Sequence, residues 1–200
     1  MKRATVNFDF RKATQALNYF AVKEGGRINK MKALKLLYLA DRYHLRKYGR
    51  LITNDIYFAM NFGPVPSSAK DIAKGSAFLG DMEKEYASRY LAVGVPHKLQ
   101  SRMPPDNEIF SDSDIEALNF AWDKFGCLSP FQLAQITHQY PEWSRHKQAL
   151  KMDSRVQMDI SDFFEDPPAG IDKCFELNSE EKEARRQQLA EISHLESLWS

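Results

Sequence analysis

Five histidines, two cysteines and a balanced set of carboxylates are the chain's stock of reactive side chains, and their spacing decides what they can do together. None of His44, His97, His138, His146 and His194 falls in an HxxxH or HExxH pattern, the spacings that turn two imidazoles of one helix toward a zinc ion. Asp41 and His44 stand at i and i+3, on one face of a helix, but no third ligand lies near them in sequence. A polar pair at the edge of a core is the simpler reading, and the pairing of His138 with His146 is weaker still. Cys127 and Cys174 form no CxxC and have no histidine close in sequence, so they read as inert thiols rather than as a nucleophile or a disulfide framework. Nothing resembles a GxSxG nucleophile elbow, a phosphate loop or a dinucleotide fingerprint. The residues make no case for an enzyme, a cofactor or a metal. A hydrolase would need a site assembled only in three dimensions, around Asp41 and His44.

A second chemistry is base reading. Ser113–Gly126 and Ser129–Tyr140 are spaced as a helix–turn–helix with glycine in the turn, and the second helix offers Gln132, Gln135, Thr137, His138 and Gln139. A recognition helix normally has Arg or Lys beside it for phosphates, and this one has none, so two ordinary helices at a corner of the core is the plainer reading. A DNA-binding regulator remains the alternative function; nucleic acid is not the expected partner.

The elements that must position these residues centre on Asn29–Gly49. Asn29 is a helix cap and Gly49 a helix stop. Leu34, Leu37, Tyr38, Leu45 and Tyr48 form one apolar stripe, and Leu36, Leu39, Ala40 and Tyr43 a second. A helix apolar on two faces is central, with neighbours around it. Asp41 interrupts the first stripe, and a carboxylate there needs partners. A preceding helix is expected over Phe10–Glu24, capped by Asp9. After Gly49, Ile56–Met60 suits a buried strand, and Phe62-Gly63-Pro64-Val65-Pro66 a rigid extended connection that can continue neither a helix nor a central strand. Ser67 or Ser68, with Asp71, begins a helix that ends near Gly80. Tyr90–Val95 and Lys98–Arg102 suggest a hairpin. Ser113-x-x-Glu116 and Ser129-Pro130-x-Gln132 are capping boxes for the next two helices. Pro141 ends the second, Trp143 pins the turn after it, and Ile160–Phe164 is a short helical turn. Asp166–Gly170 is the clearest linker, and Asn178-x-x-Glu181 starts a last, charged helix to about Trp199 with a thin stripe of Leu189, Ile192, Leu195 and Trp199.

The expected fold is therefore mainly α (α+β): a compact helical domain with a small β-sheet or hairpin element and a C-terminal helix. The 200 residues suit one domain over 1–165 and a linker with a helical appendage over 166–200. Composition agrees, with 43% hydrophobic and 28% charged residues. The net charge of +1 argues against indiscriminate binding to nucleic acid or membranes. The opening MKRATVNFDFRK has no signal-peptide core, and no run approaches the roughly 18 apolar residues of a membrane span. A cytoplasmic, soluble protein is expected.

Within this frame Lys35–Ile72, KLLYLADRYHLRKYGRLITNDIYFAMNFGPVPSSAKDI, resembles the signature of the Panacea domain, found in SocA-like and phage-associated protein antitoxins. The family's "KLLYFAD" helix, "YG" stop, strand and "GPVP" are similar to Lys35–Asp41, Tyr48-Gly49, Ile56–Met60 and Gly63–Pro66. Leu128-Ser129, Thr137-His138, Pro141 and Trp143 follow the order of its "LS…TH…P.W" region, and Asp159–Phe164 is similar to its closing segment. The resemblance spans about residues 10–165 and leaves the tail outside.

The resemblance implies an antitoxin of a toxin–antitoxin system, which binds a cognate protein toxin encoded beside it. One branch of the family instead delivers its toxin to a cytoplasmic AAA+ protease. No catalysis is implied. A physical expectation follows: Arg42, Tyr57, Phe62, Pro64, Val65 and Pro66 form a pre-organised toxin-binding surface, with Leu195 and Trp199 of the last helix as a second contact. Asp41, Gly63 and Trp143 are expected to be structural.

Overall fold

Asp9 caps the first helix, α1 (Phe10–Lys23), by accepting the Lys12 amide at 2.9 Å. This belongs to a computed structural model that describes residues 8–168 and 176–198 of the chain. The connection after α1 contains a strand, β1 (Arg27–Asn29), whose partner lies far along the chain. Asn29 then accepts the amides of Met31 and Lys32 and starts α2 (Lys30–Tyr48), and Gly49 closes it in the left-handed conformation at φ 75°. Both ends stand where the residue types put them. Side chains from Lys32 to Arg46 are almost all buried, so α2 is the axis of the molecule. Leu36, Leu37, Tyr38 and Leu45 are fully enclosed by α1 and the elements that follow.

Tyr57–Met60 (β2) and Gly63–Pro66 (β3) make a tight antiparallel hairpin, with Phe58 opposite Val65 and Met60 opposite Gly63. The Phe62–Pro66 stretch, expected to be a connection only, is thus mostly strand. Two prolines are tolerated because β3 is an edge strand, where a missing N–H breaks no second ladder.

The next helix, α3 (Ser67–Lys74), is capped differently from the expected serine box. Asp55, thirteen and fourteen residues upstream, accepts the Ser68 amide at 2.9 Å and the Ala69 amide at 2.8 Å. Burial of this carboxyl raises it to about 6 against those hydrogen bonds. The helix stops at Gly75, in the left-handed region, and not at Gly80. A further helix, α4 (Asp81–Tyr90), was not legible as a separate element; it buries only Ala87. The expected hairpin forms in shortened form from β4 (Leu91–Ala92) and β5 (Lys98–Ser101), and β1 joins it on the far side of β5.

Ser111, not Ser113, caps α5 (Asp112–Phe125), in a box with Asp114. The shift by two follows from Asp114: it is fully buried and bound by Lys12 and Arg50, which fixes where the helix can begin. Ser129 caps α6 (Pro130–Thr137) in the expected box with Gln132. Pro141 both ends that run and opens a single turn, α7 (Pro141–Ser144). Arg155–Gln157 (β6) pairs with β2, giving a second sheet in the order β3–β2–β6, and a 3-10 turn follows at Ile160–Phe164. The last helix, α8 (Ser179–Leu198), starts on the reciprocal bonds of Asn178 and Glu181.

Among the described residues there are eight α-helices and two three-stranded antiparallel sheets, so the molecule is mainly α in an α+β arrangement. Tyr38, Tyr57, Tyr140 and Phe163 meet edge to face at 5.2 to 6.2 Å, which joins α2, the second sheet and the closing 3-10 turn into one core. No described helix is long and apolar enough to cross a membrane.

Candidate functional site

The β2–β3 hairpin is the feature that α2, α6 and α7 hold in place. Lys35, on α2, is 1% exposed, and its Nζ donates to the Pro64 carbonyl at 2.6 Å. Burial pushes this amine down to about 7, with no carboxylate paired to it among the described residues. From the other side Trp143 Nε1 donates to the Met60 carbonyl at 2.9 Å. The His138 ring stacks on Trp143 at 3.8 Å and 12°, and it bonds the Asn61 backbone. Burial, then Lys35 and Lys147, hold His138 below its ordinary value, against the bond to Asn61. Gly63 lies between these ties at φ 98°. A Cβ there would stand 2.6 Å from Thr137 Oγ1 and 2.7 Å from Lys35 Nζ, so glycine is required on both counts.

Asp41 anchors the hairpin's other end. It is fully buried and accepts from the Ile52 amide at 2.6 Å, the Thr53 amide at 3.3 Å, Thr53 Oγ1 at 2.8 Å and Tyr57 Oη at 2.6 Å. Burial raises its pKa, while the four hydrogen bonds oppose the rise. One helical turn on, His44 turns to different partners: the Arg50 carbonyl at 2.8 Å, Ser113 Oγ at 3.0 Å and Asp114 at 3.2 Å. Asp41 and His44 share a helix and no ligand-binding geometry. Among the described residues no three His, Cys, Asp or Glu side chains gather as metal ligands.

The expected contact residues divide sharply. Phe62 is 58% exposed at the hairpin tip, and Val65 is half-buried. Arg42, Tyr57, Pro64 and Pro66 are buried and present nothing to a partner in this fold. Arg42 donates to Glu142 at 2.7 Å and to the Glu165 carbonyl at 2.9 Å, and lies 4.3 Å over the Tyr140 ring. An arginine beside an aromatic run suggests an interface anchor, but here the helix rotates it inward, onto a buried carboxylate. Glu142 also accepts from Tyr38 Oη at 2.6 Å. Asp41, Gly63 and Trp143 stand within the framework just described. Leu195 is 56% exposed on α8, and Trp199 lies outside the described residues.

Two residues escaped the sequence reading. Lys35 had a signal, a lysine one turn before Tyr38 on the helix that the sequence marks as central. Phe131 had none: it follows the proline of a helix start, is 66% exposed, and meets Phe62 edge to face at 6.4 Å. The same geometry weakens the base-reading helix. Thr137 is buried, His138 is stacked, and Gln132 is engaged in the cap.

The family model described as antitoxin SocA-like, Panacea domain, matches residues 34–144, from α2 through α7. No curated protein matches the chain, and no solved structure does.

Proposed function

The chain belongs to the SocA-like antitoxin family of Panacea-domain proteins, and from that membership we propose that it neutralises a cognate protein toxin, encoded beside it, by direct protein–protein binding. The observation that carries the binding mechanism is the locked hairpin. Lys35, Trp143 and Asp41 fasten its strands, and Phe62 is left exposed at its tip. A surface held this rigidly loses little conformational freedom on association, so more of the contact energy appears as affinity. A binding role also makes sense of buried polar groups engaged in structural bonds: Asp41, Asp55, Asp114 and Glu142 each tie elements together. Delivery of the toxin to a AAA+ protease would use the same first contact and add a second one.

The test is a growth assay. The neighbouring reading frame is expressed under an inducible promoter with and without this chain. Arrest on induction, relieved by co-expression of the chain, is expected. A neighbour that arrests growth equally in both strains would overturn the proposal.

A further inference from the structure

Resting on the antitoxin reading, we propose that the outward face of the β3–β2–β6 sheet, with the Phe62–Phe131 pair at the hairpin tip, is the surface that docks the toxin, and that the toxin meets it with an apolar segment flanked by carboxylates.

Strand alternation sorts β2 into two faces. Tyr57 and Ala59 point inward and are fully buried; Phe58 and Met60 point outward and are only half-buried. Register places Val65 and Gln157 on either side of Phe58, and Gly63 and Arg155 on either side of Met60. The outward face thus carries Val65, Phe58 and Met60, with the polar Gln157 and the cation Arg155 along its β6 side. The Arg155 guanidinium lies 5.0 Å from the Phe58 ring centre, and Lys70 Nζ lies 3.6 Å from Met60 Sδ. Burial, then Lys74, lowers the Lys70 amine; Arg155 adds to this and Asp71 opposes it. Lys70, Lys74 and Arg155 therefore share one field, and none of them forms a salt bridge among the described residues.

The hairpin tip adds two exposed aromatics in mutual contact. Aromatic and arginine anchors within a polar rim are the usual make-up of an interface. The charge selects the occupant: carboxylates around an apolar segment would find Lys70, Lys74 and Arg155 unpaired. A nucleic acid would need more, since phosphate binding usually draws on about six to ten cations.

The probe is the purified product of the neighbouring reading frame, titrated with the full chain and three variants by biolayer interferometry. Phe62→Glu/Phe131→Glu is expected to weaken binding by about 100-fold or more, since each is an exposed anchor. Lys70→Glu/Arg155→Glu is expected to slow association by about tenfold at low salt, with the difference shrinking as salt rises. Leu195→Glu/Leu198→Glu tests the second contact expected on α8; with docking on the sheet it binds as the parent does. All the substituted side chains are exposed or half-buried, and thermal melts confirm that each variant folds. Binding by the parent with both sheet variants within about threefold of it, or loss confined to the α8 variant, overturns this surface and leaves the antitoxin reading standing. Failure of the parent to bind, or binding of duplex DNA in its place, overturns both.

Discussion

Lys35 Nζ donates to the Pro64 carbonyl at 2.6 Å, in a buried site where no carboxylate among the described residues pairs with it. The link joins the central helix to the edge strand of the hairpin, and it places a titratable amine where a charge is costly. In the unfolded chain this lysine keeps its ordinary 10.5, while in the fold it titrates at about 7. Between those two values the unfolded chain binds more protons than the folded one, so stability due to this residue rises with pH across that window and is lowest below it. Lys35→Met should therefore be more stable than the parent at pH 7, by about 2 kcal/mol after loss of the hydrogen bond. Urea unfolding at pH 7, 8 and 9 should show that gap narrowing as pH rises. A gap that is constant or widens would mean the amine is charged and compensated in the fold.

Asp41 carries a structural load that its position on an apolar stripe announces. Asp41→Ala would strand two amides and two hydroxyls in the core at once, and should cost about 3 kcal/mol or more. Asp41→Asn, which keeps an acceptor and the volume, should cost less. Thermal melts of the two variants give the order. Equal and small losses would mean the loop at Ile52–Tyr57 can be held without the carboxylate.

Arg42 and Glu142 form a buried ion pair in which each charge is the other's compensation. Glu142→Gln leaves the guanidinium without its countercharge and should destabilise by about 3 kcal/mol, and Arg42→Met similarly by about 3. Removing both charges should cost clearly less than the sum of the single changes, a coupling read from chemical unfolding of the double-mutant cycle. Additive losses would show that the two act independently.

Asp166 clasps the last helix to the body, with Arg46 on one side and Lys182 on the other; Arg186 adds a bond to Glu165. Burial alone would raise the Asp166 carboxyl, but the bonds from Lys182 and Arg46 win and hold it low. A carboxyl depressed in the fold contributes stability above its unfolded value and loses it as pH falls through the folded one. The α8 helix should consequently loosen in acid before the core does. Asp166→Asn should raise amide exchange across Ser179–Leu198 and leave α2 protected. Unchanged exchange in α8 would show that Leu189 and its apolar neighbours suffice to hold the helix.

Much of this architecture was readable in advance, and the exceptions share a cause. Asn29 and Gly49 bound α2, and Ser129, Pro130 and Gln132 start α6, because a cap acts on amides two or three residues away. What could not be read depended on residues distant in sequence. Asp55 displaces Ser68 as the cap of α3; Lys12 and Arg50 hold Asp114 and move the start of α5 to Ser111. Phe62–Pro66 becomes a strand because β2 is there to pair with it. The candidate site behaved alike. Residue type marked Phe62 and Arg42 equally as anchors, and only the rotation of α2 turned Arg42 inward, onto Glu142.

The central claim is neutralisation by a persisting complex, and the amount of toxin in rescued cells tests it most directly. Immunoblots of an epitope-tagged toxin, with and without this chain, should show the toxin undiminished and co-eluting with the chain on size exclusion. Rescue accompanied by loss of the toxin, and abolished when a AAA+ protease is deleted, would contradict neutralisation by binding alone and make the chain an adaptor.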